Sequence, residues 1–91
     1  MFHSMEARII ISARAVKQLK KLSADMRSRI LRTIRELENW PDVRNVKALQ
    51  GIKGFRLRSG RYRILFDVDE LGMILVAEIL IRNESTYQEK S

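Results

Sequence analysis

Residues 55–63 read FRLRSGRYR. Apolar or aromatic residues alternate with arginines on both sides of a Ser-Gly pair. In a strand, successive side chains point to opposite faces, and a short Gly-containing step between two such runs marks a tight hairpin. The stretch therefore predicts two antiparallel strands with one apolar and one basic face. If Ser59-Gly60 forms a two-residue loop, Arg58 lies opposite Arg61, Leu57 opposite Tyr62, Arg56 opposite Arg63 and Phe55 opposite Ile64. All four arginines then share one side, with Phe55, Leu57, Tyr62 and Ile64 on the other. A four-residue loop still keeps Arg56, Arg58 and Arg63 together; a three-residue loop would scramble the pattern. Like charges directly opposite each other destabilise a sheet, so folding alone does not favour this arrangement. Arginine's planar fork binds phosphate bidentately and stacks on bases, which suits such a face to a nucleic-acid backbone.

The rest of the chain supplies what the apolar face needs. Glu6 to Ile11 reads as a strand because Ile9, Ile10 and Ile11 are β-branched. Ser12 is placed to cap a helix from Ala13 to Leu22, with Val16, Leu19 and Leu22 at helical spacing. Ser23 caps a second helix, with Asp25 in the first turn where the helix dipole favours an anion. Its apolar stripe is Met26, Ile30, Ile34 and Leu37, and Trp40-Pro41 ends it, with Trp40 as an anchor. Residues 42–53 read as a loop anchored by Val46 and Leu49. Strands then run over Phe55 to Arg58, Arg61 to Val68 and Met73 to Arg82. A four-residue turn after Val68 sets Val68 against Met73 and Arg63 against Glu78, with Arg82 on the same face. Tyr62 reads as core-facing. The order β-α-α-β-β-β predicts an α+β, two-layer domain: an antiparallel sheet covered on one face by two helices, the other face left for function.

The 91 residues make one domain, 1–91, with residues 1–4 (MFHS) set aside as a disordered or non-native start before Met5. There is no cysteine. Disulfides and thiolate chemistry are thereby excluded, which fits a reducing cytoplasm. The opening residues lack the pattern of a secretory signal. The longest apolar run, Met73 to Ile81, is broken by Glu78 and too short to span a bilayer as a helix. Net charge is +7, which points to a polyanionic partner. Lys53, Arg56, Arg58, Arg61 and Arg63 give residues 51–63 a local +5 without an acid, whereas residues 64–91 hold two basic residues against six acids.

Three stretches resemble the RelE/ParE superfamily of toxins from type II toxin–antitoxin systems. LQG with its following aromatic-basic strand resembles that family's "L-x-G … (W/Y)-(R/K)-(L/I)-R" entry to the sheet. GRYRILFDVD resembles its "G-x-(Y/W)-R-(V/L)-(I/L)-(Y/F)" strand, and RNESTY its closing basic segment ending in tyrosine. The resemblance spans nearly the whole chain. It implies a RelE-like microbial ribonuclease-type fold, a cognate antitoxin as partner in a hetero-oligomer and, for the RelE-like branch, ribosome-dependent cleavage of mRNA that inhibits translation. Carried over by motif, the catalytic set is Arg56, Arg58, Arg63, Arg82 and Tyr87, with Lys53 and Arg61 as further RNA-binding residues. The sequence departs from the pattern in two places. Gly54 stands where some ribonuclease members have a lysine, and Arg82 is the single basic residue before the acids of the last segment.

RNA cleavage needs an activated 2′-hydroxyl, stabilisation of charge on the phosphorane and a proton for the leaving oxygen. The one histidine, His3, sits near the terminus, so no histidine pair serves as acid and base. No Asp/Glu/His cluster has metal-ligand spacing, and Asp67, Asp69 and Glu70 read as a strand end and turn. Ser85-Thr86 is no nucleophile motif. An endoribonuclease without metal or cofactor is the expectation, with Tyr87 as base. A free phenol titrates near pH 10, at about pKa 10, and neighbouring guanidinium groups favour its ionised form. Two alternatives stay open: a ParE-like, non-enzymatic inhibitor of DNA gyrase, or a catalytically inactive nucleic-acid-binding module.

Overall fold

The computed structural model describes residues 8–81. His3, the start of the expected first strand at Glu6, Arg82, Ser85-Thr86 and Tyr87 lie outside the described residues. Strand β1 (Arg8–Ile11) contains the three isoleucines and stops at Ser12, which performs three tasks. Its amide donates to the Val76 carbonyl at 2.9 Å. Its hydroxyl donates to the Ala77 carbonyl at 2.8 Å and accepts from the Ala15 amide at 3.0 Å. The same residue thus ends the strand and caps helix α1 (Ala13–Lys20), as the sequence predicts.

Helix α1 is shorter than expected and buries Ala15 and Leu19, while Val16 is exposed. Leu22 falls in the link to helix α2 (Ala24–Arg35) and stays half-buried against the core. Arg27 fixes this link: its guanidinium donates to the Leu19 carbonyl at 3.1 Å and the Leu22 carbonyl at 2.9 Å, satisfying acceptors that a helix end leaves open. Ser23 caps α2 by accepting from the Met26 amide at 3.2 Å. Ile30 and Ile34 are buried, and a 3-10 turn (Glu36–Asn39) carries the stripe on to fully buried Leu37. Trp40 then sets its ring edge-on against Phe55 (4.8 Å between centroids) and Phe66 (5.3 Å), a favoured aromatic geometry.

The expected meander is present as β3 (Phe55–Ser59), β4 (Tyr62–Val68) and β5 (Met73–Ile81). Two further pairings correct the expected antiparallel sheet. β1 runs parallel to β5, placing Ile9 beside Ile74 and Ile11 beside Val76; the helices and the three strands that intervene in the chain give the long connection that a parallel pair needs. Residues 46–48, expected in a loop, form β2 (Val46–Ala48), antiparallel to β3. The sheet among the described residues is therefore mixed, in the order β1-β5-β4-β3-β2. Both helices bury their stripes in one core with Leu57, Tyr62, Ile64, Phe66, Ile74, Val76 and Ile79. Full burial of a side chain of this kind contributes about 1.5–3 kcal/mol. The α+β architecture and its open second face match the sequence reading. No helix among the described residues is long and apolar enough to cross a membrane.

Candidate nucleic-acid interface

The basic hairpin forms, in a register shifted from the simplest expectation. Arg58 pairs with Arg63, Leu57 with Ile64, Arg56 with Leu65 and Ser59 with Tyr62. The loop is Gly60-Arg61. Gly60 has φ +61°, while Arg61 is not in the positive-φ region, the pattern of a II′ turn, which requires glycine first. A Ser59-Gly60 loop would have put glycine second. The shift moves both strands together, so side-chain parity survives: Arg56, Arg58 and Arg63 share the open face. Phe55, Leu57, Tyr62 and Ile64 share the helix-covered face, with Tyr62 buried as expected. Arg61 is corrected; it sits exposed in the turn instead of opposite Arg58.

A second shift changes the company of Arg63. A bulge in the β4–β5 ladder lets Phe66 pair with Val76 but Leu65 with Glu78, leaving Ala77 as the extra residue. Arg63 therefore lies opposite Leu80, not opposite Glu78 as expected. Glu78 instead meets Arg14 of α1, at 3.4 Å. The turn before β5 is longer than the four residues expected, so Val68 pairs with Ile74. Asp69 organises it, one carboxylate oxygen accepting from the Leu71 amide at 2.8 Å and the Met73 amide at 2.9 Å.

The residue missed in the sequence is Lys47. Strand β2 sets it directly opposite Arg56, so the open face carries Lys47, Arg56, Arg58 and Arg63 over three adjacent strands. Directly opposed side chains have Cβ atoms about 4.5–5.5 Å apart. Arg56 and Arg63 are half-buried among neighbours, while Lys47 and Arg58 are exposed. Among the described residues, no side chain pairs with the charges of Lys47, Arg56 or Arg58. The remainder of the open face is mixed: Ile10 and Leu75 are exposed and Leu65 and Leu80 half-buried, while Arg8, Asp67 (paired with Leu75) and Glu78 (paired with Leu65) add charge toward its β1–β5 side. Such a face offers paired guanidinium forks for a phosphate and aliphatic ground beside them for a base or a partner's side chain. Lys53 is exposed in the loop leading into β3. Among the described residues, no group of three or more His, Cys, Asp or Glu could hold a metal ion.

No protein-family model matches the sequence, and no curated protein matches it significantly. The likeness lies in solved structures. An archaeal RelE–RelB complex from Pyrococcus horikoshii is 27% identical, with a TM-score of 0.74 over 86% of this chain and 97% of that one. A RelBE toxin–antitoxin complex from Mycobacterium tuberculosis is 21% identical, with a TM-score of 0.75 over 85% of this chain and 99% of that one. The isolated RelE toxin of Escherichia coli is 18% identical, with a TM-score of 0.71 over 92% and 94%. The chain is RelE-like in fold. The resemblance carried by LQG, GRYRILFDVD and RNESTY in the sequence is thereby borne out at the level of architecture.

Within this RelE-like chain, the structure brings Arg56, Arg58 and Arg63 together and sends Arg61 to the hairpin tip. Arg82 and Tyr87 lie outside the described residues. The departure at Gly54 has a structural reason. Its φ is +127°, and a Cβ there would come within 3.2 Å of the Phe66 carbonyl oxygen and 3.3 Å of a Leu49 methyl. A lysine does not fit this backbone, so in this chain Lys53 and Lys47 are the lysines that flank the arginine face.

Proposed function

We propose that this RelE-like chain is the toxin of a type II toxin–antitoxin system, an endoribonuclease that cleaves mRNA on the ribosome and is held in check by an antitoxin. The observation that carries the reading is the convergence of Arg56, Arg58 and Arg63 on the uncovered face of the sheet. β5 ends at Ile81, paired with Tyr62 and next to the Arg63–Leu80 pair. Tyr87 follows six residues later, no more than about 20 Å of extended chain. A phosphodiester gripped by Arg58 and Arg63 would have its developing phosphorane charge stabilised by guanidinium donors. Tyr87, ionised beside these cations, would take the 2′-hydroxyl proton. Arg82, the next residue in sequence after Ile81, would add to the same field.

Arginine stays protonated and is a poor proton donor, so this set makes a weak nuclease unaided. Orientation of the substrate by the ribosome supplies what the side chains lack, since fixed geometry alone can lower a barrier by several kcal/mol. An antitoxin partner is supported by the matched structures from P. horikoshii and M. tuberculosis, both complexes with an antitoxin.

The test is 5′-end mapping of mRNA in a translating extract given the purified chain. Cuts within ribosome-bound message are expected, reduced at least about a hundredfold in Arg63→Ala and in Tyr87→Phe. Intact message together with altered DNA supercoiling would replace this reading with gyrase inhibition. Intact message with retained RNA binding would leave a binding module.

A further inference from the structure

The arginine face is one of two strongly basic parts of the molecule. Residues 13–35, which form the helical layer, contain eight basic residues and one acid, Asp25. Their local +7 equals the net charge of the entire chain. The helical period sorts these charges. On α1 the buried pair is Ala15 and Leu19, and Lys17, flanked by Lys20 and Lys21, points the opposite way. On α2 the buried pair is Ile30 and Ile34, and Arg32, flanked by Arg29 and Arg35, again points away from the core. All six are exposed, and among the described residues none has a side-chain partner. Arg14 and Arg27 are the two already employed, on Glu78 and on the end of α1.

Local helix energetics account for part of this pattern. Lys17, Lys20, Arg32 and Arg35 stand in last turns, where the dipole favours cations. Arg29 has no such benefit, and Lys17 and Lys21 form an i, i+4 like-charge pair that works against the helix. Because both helices lie on one side of the sheet, this surface faces away from Arg56, Arg58 and Arg63. A single stretch of polyanion on the sheet face cannot neutralise it.

We infer that the outer surface of α1 and α2 is a second nucleic-acid-binding surface, built for the phosphate backbone of structured, double-stranded RNA. Two rows of cations, Arg29, Arg32 and Arg35 spaced about 4.5 Å along the α2 axis (three residues at 1.5 Å) and Lys17 and Lys20 at the same step on α1 with Lys21 at its cap, with no aromatic among them, suit backbone contact rather than base reading. The choice of RNA rests on the proposed action on ribosome-bound message. There the sheet face takes the single strand to be cut, and the helical face meets the folded RNA around it. This leaves the helical face able to hold RNA while an antitoxin covers the arginines.

The experiment titrates the full chain with a mixed-sequence RNA duplex over a series of salt concentrations. Affinity is expected to fall linearly on logarithmic axes, by about 0.9 per phosphate neutralised. Neutralising the helical face with Lys17→Gln, Arg29→Gln and Arg32→Gln, which bury nothing, is expected to weaken binding at least about tenfold and lower the slope by about 2–3. Arg56→Gln with Arg58→Gln is expected to keep duplex binding within about threefold, whatever it does to mRNA cleavage; the two readings therefore fail separately. Duplex affinity unchanged in the helical variant, or lost in the sheet variant alone, would overturn the inference. So would a DNA duplex bound tenfold tighter than RNA, or polyglutamate displacing the RNA at equal charge, which would turn the surface over to an acidic protein.

Discussion

On its helix-covered side the sheet presents Leu57, Ile64, Phe66, Ile74 and Val76, each at most 2% exposed. On its open side the same strands, read one residue along, present Lys47, Arg56, Arg58 and Arg63. Leu57 and Arg58 are neighbours in sequence and belong to different problems. The first set gains free energy from leaving water. The second holds like charges opposite each other, an arrangement the sheet tolerates at a small cost. The contrast separates what the chain needs in order to fold from what it carries in spite of folding. Substitutions on the two faces should accordingly change different observables.

The largest effect is expected on the covered face. Phe66 stacks on Phe55 at 5.4 Å and meets the edge of Trp40. Phe66→Ala should lower unfolding free energy by about 3–5 kcal/mol, read as a drop in the denaturant midpoint with the slope unchanged. In a chain of 91 residues that is a large part of the total stability, and RNA cleavage should fall only in proportion to the unfolded fraction. A small loss would mean that the aromatic trio is not the keystone of the covered face, and the contrast between the faces would weaken.

How far the sequence revealed this division depends on the range of the forces involved. The caps Ser12 and Ser23, the buried stripe ending at Leu37 and the parity of Arg56, Arg58 and Arg63 are all local properties. Periodicity and turn chemistry specify them within a few residues. Strand β2 is not legible because three residues cannot display an alternation, although Val46 reads as an anchor; Lys47 is hidden with it. The parallel partner of β1 lies more than sixty residues away, and nothing in RIII names it. The bulge at Ala77 is set by the fit of α1 against β5: Ser12 holds the Ala77 carbonyl, and Gln18 accepts from the Ile79 amide at 2.6 Å. No pattern within β5 itself announces that fit, so an unbroken ladder sets Arg63, and not Arg14, against Glu78. Arg61 differs from the expected strand position by a single step of loop register.

That step gives the next prediction. Gly60 at φ +61° lets the hairpin close with Arg58 opposite Arg63. A Cβ at Gly60 meets nothing within 4 Å, so the cost of Gly60→Ala is conformational, about 1–2 kcal/mol, with no packing loss added. Thermal unfolding should show this as a drop of several degrees. If the strands instead slip to a register without the glycine requirement, cleavage should fall far more than stability does. That result would show the arginine face to depend on the turn rather than on strand parity.

The smallest effect has the opposite sign and bears most directly on the contrast. Arg58 is exposed and lies directly opposite Arg63. Arg58→Thr removes one of two facing positive charges and places a β-branched residue on a strand. Relief of the repulsion should stabilise the fold by about 0.2–1 kcal/mol at low ionic strength. The loss of the arginine stem's packing works against this, but it is small where the side chain already stands in water. At 1 M salt, where the screening length is about 3 Å, most of the gain should vanish, leaving the β-propensity share. Cleavage of ribosome-bound mRNA by the same variant should fall sharply, because one half of the proposed phosphate clamp is gone. A chain made slightly more stable and much less active by one substitution would show that Arg58 is retained at the expense of the fold. A loss of stability at low salt would show instead that the arginine supports the sheet, and the open face would have to be counted as part of the folding machinery.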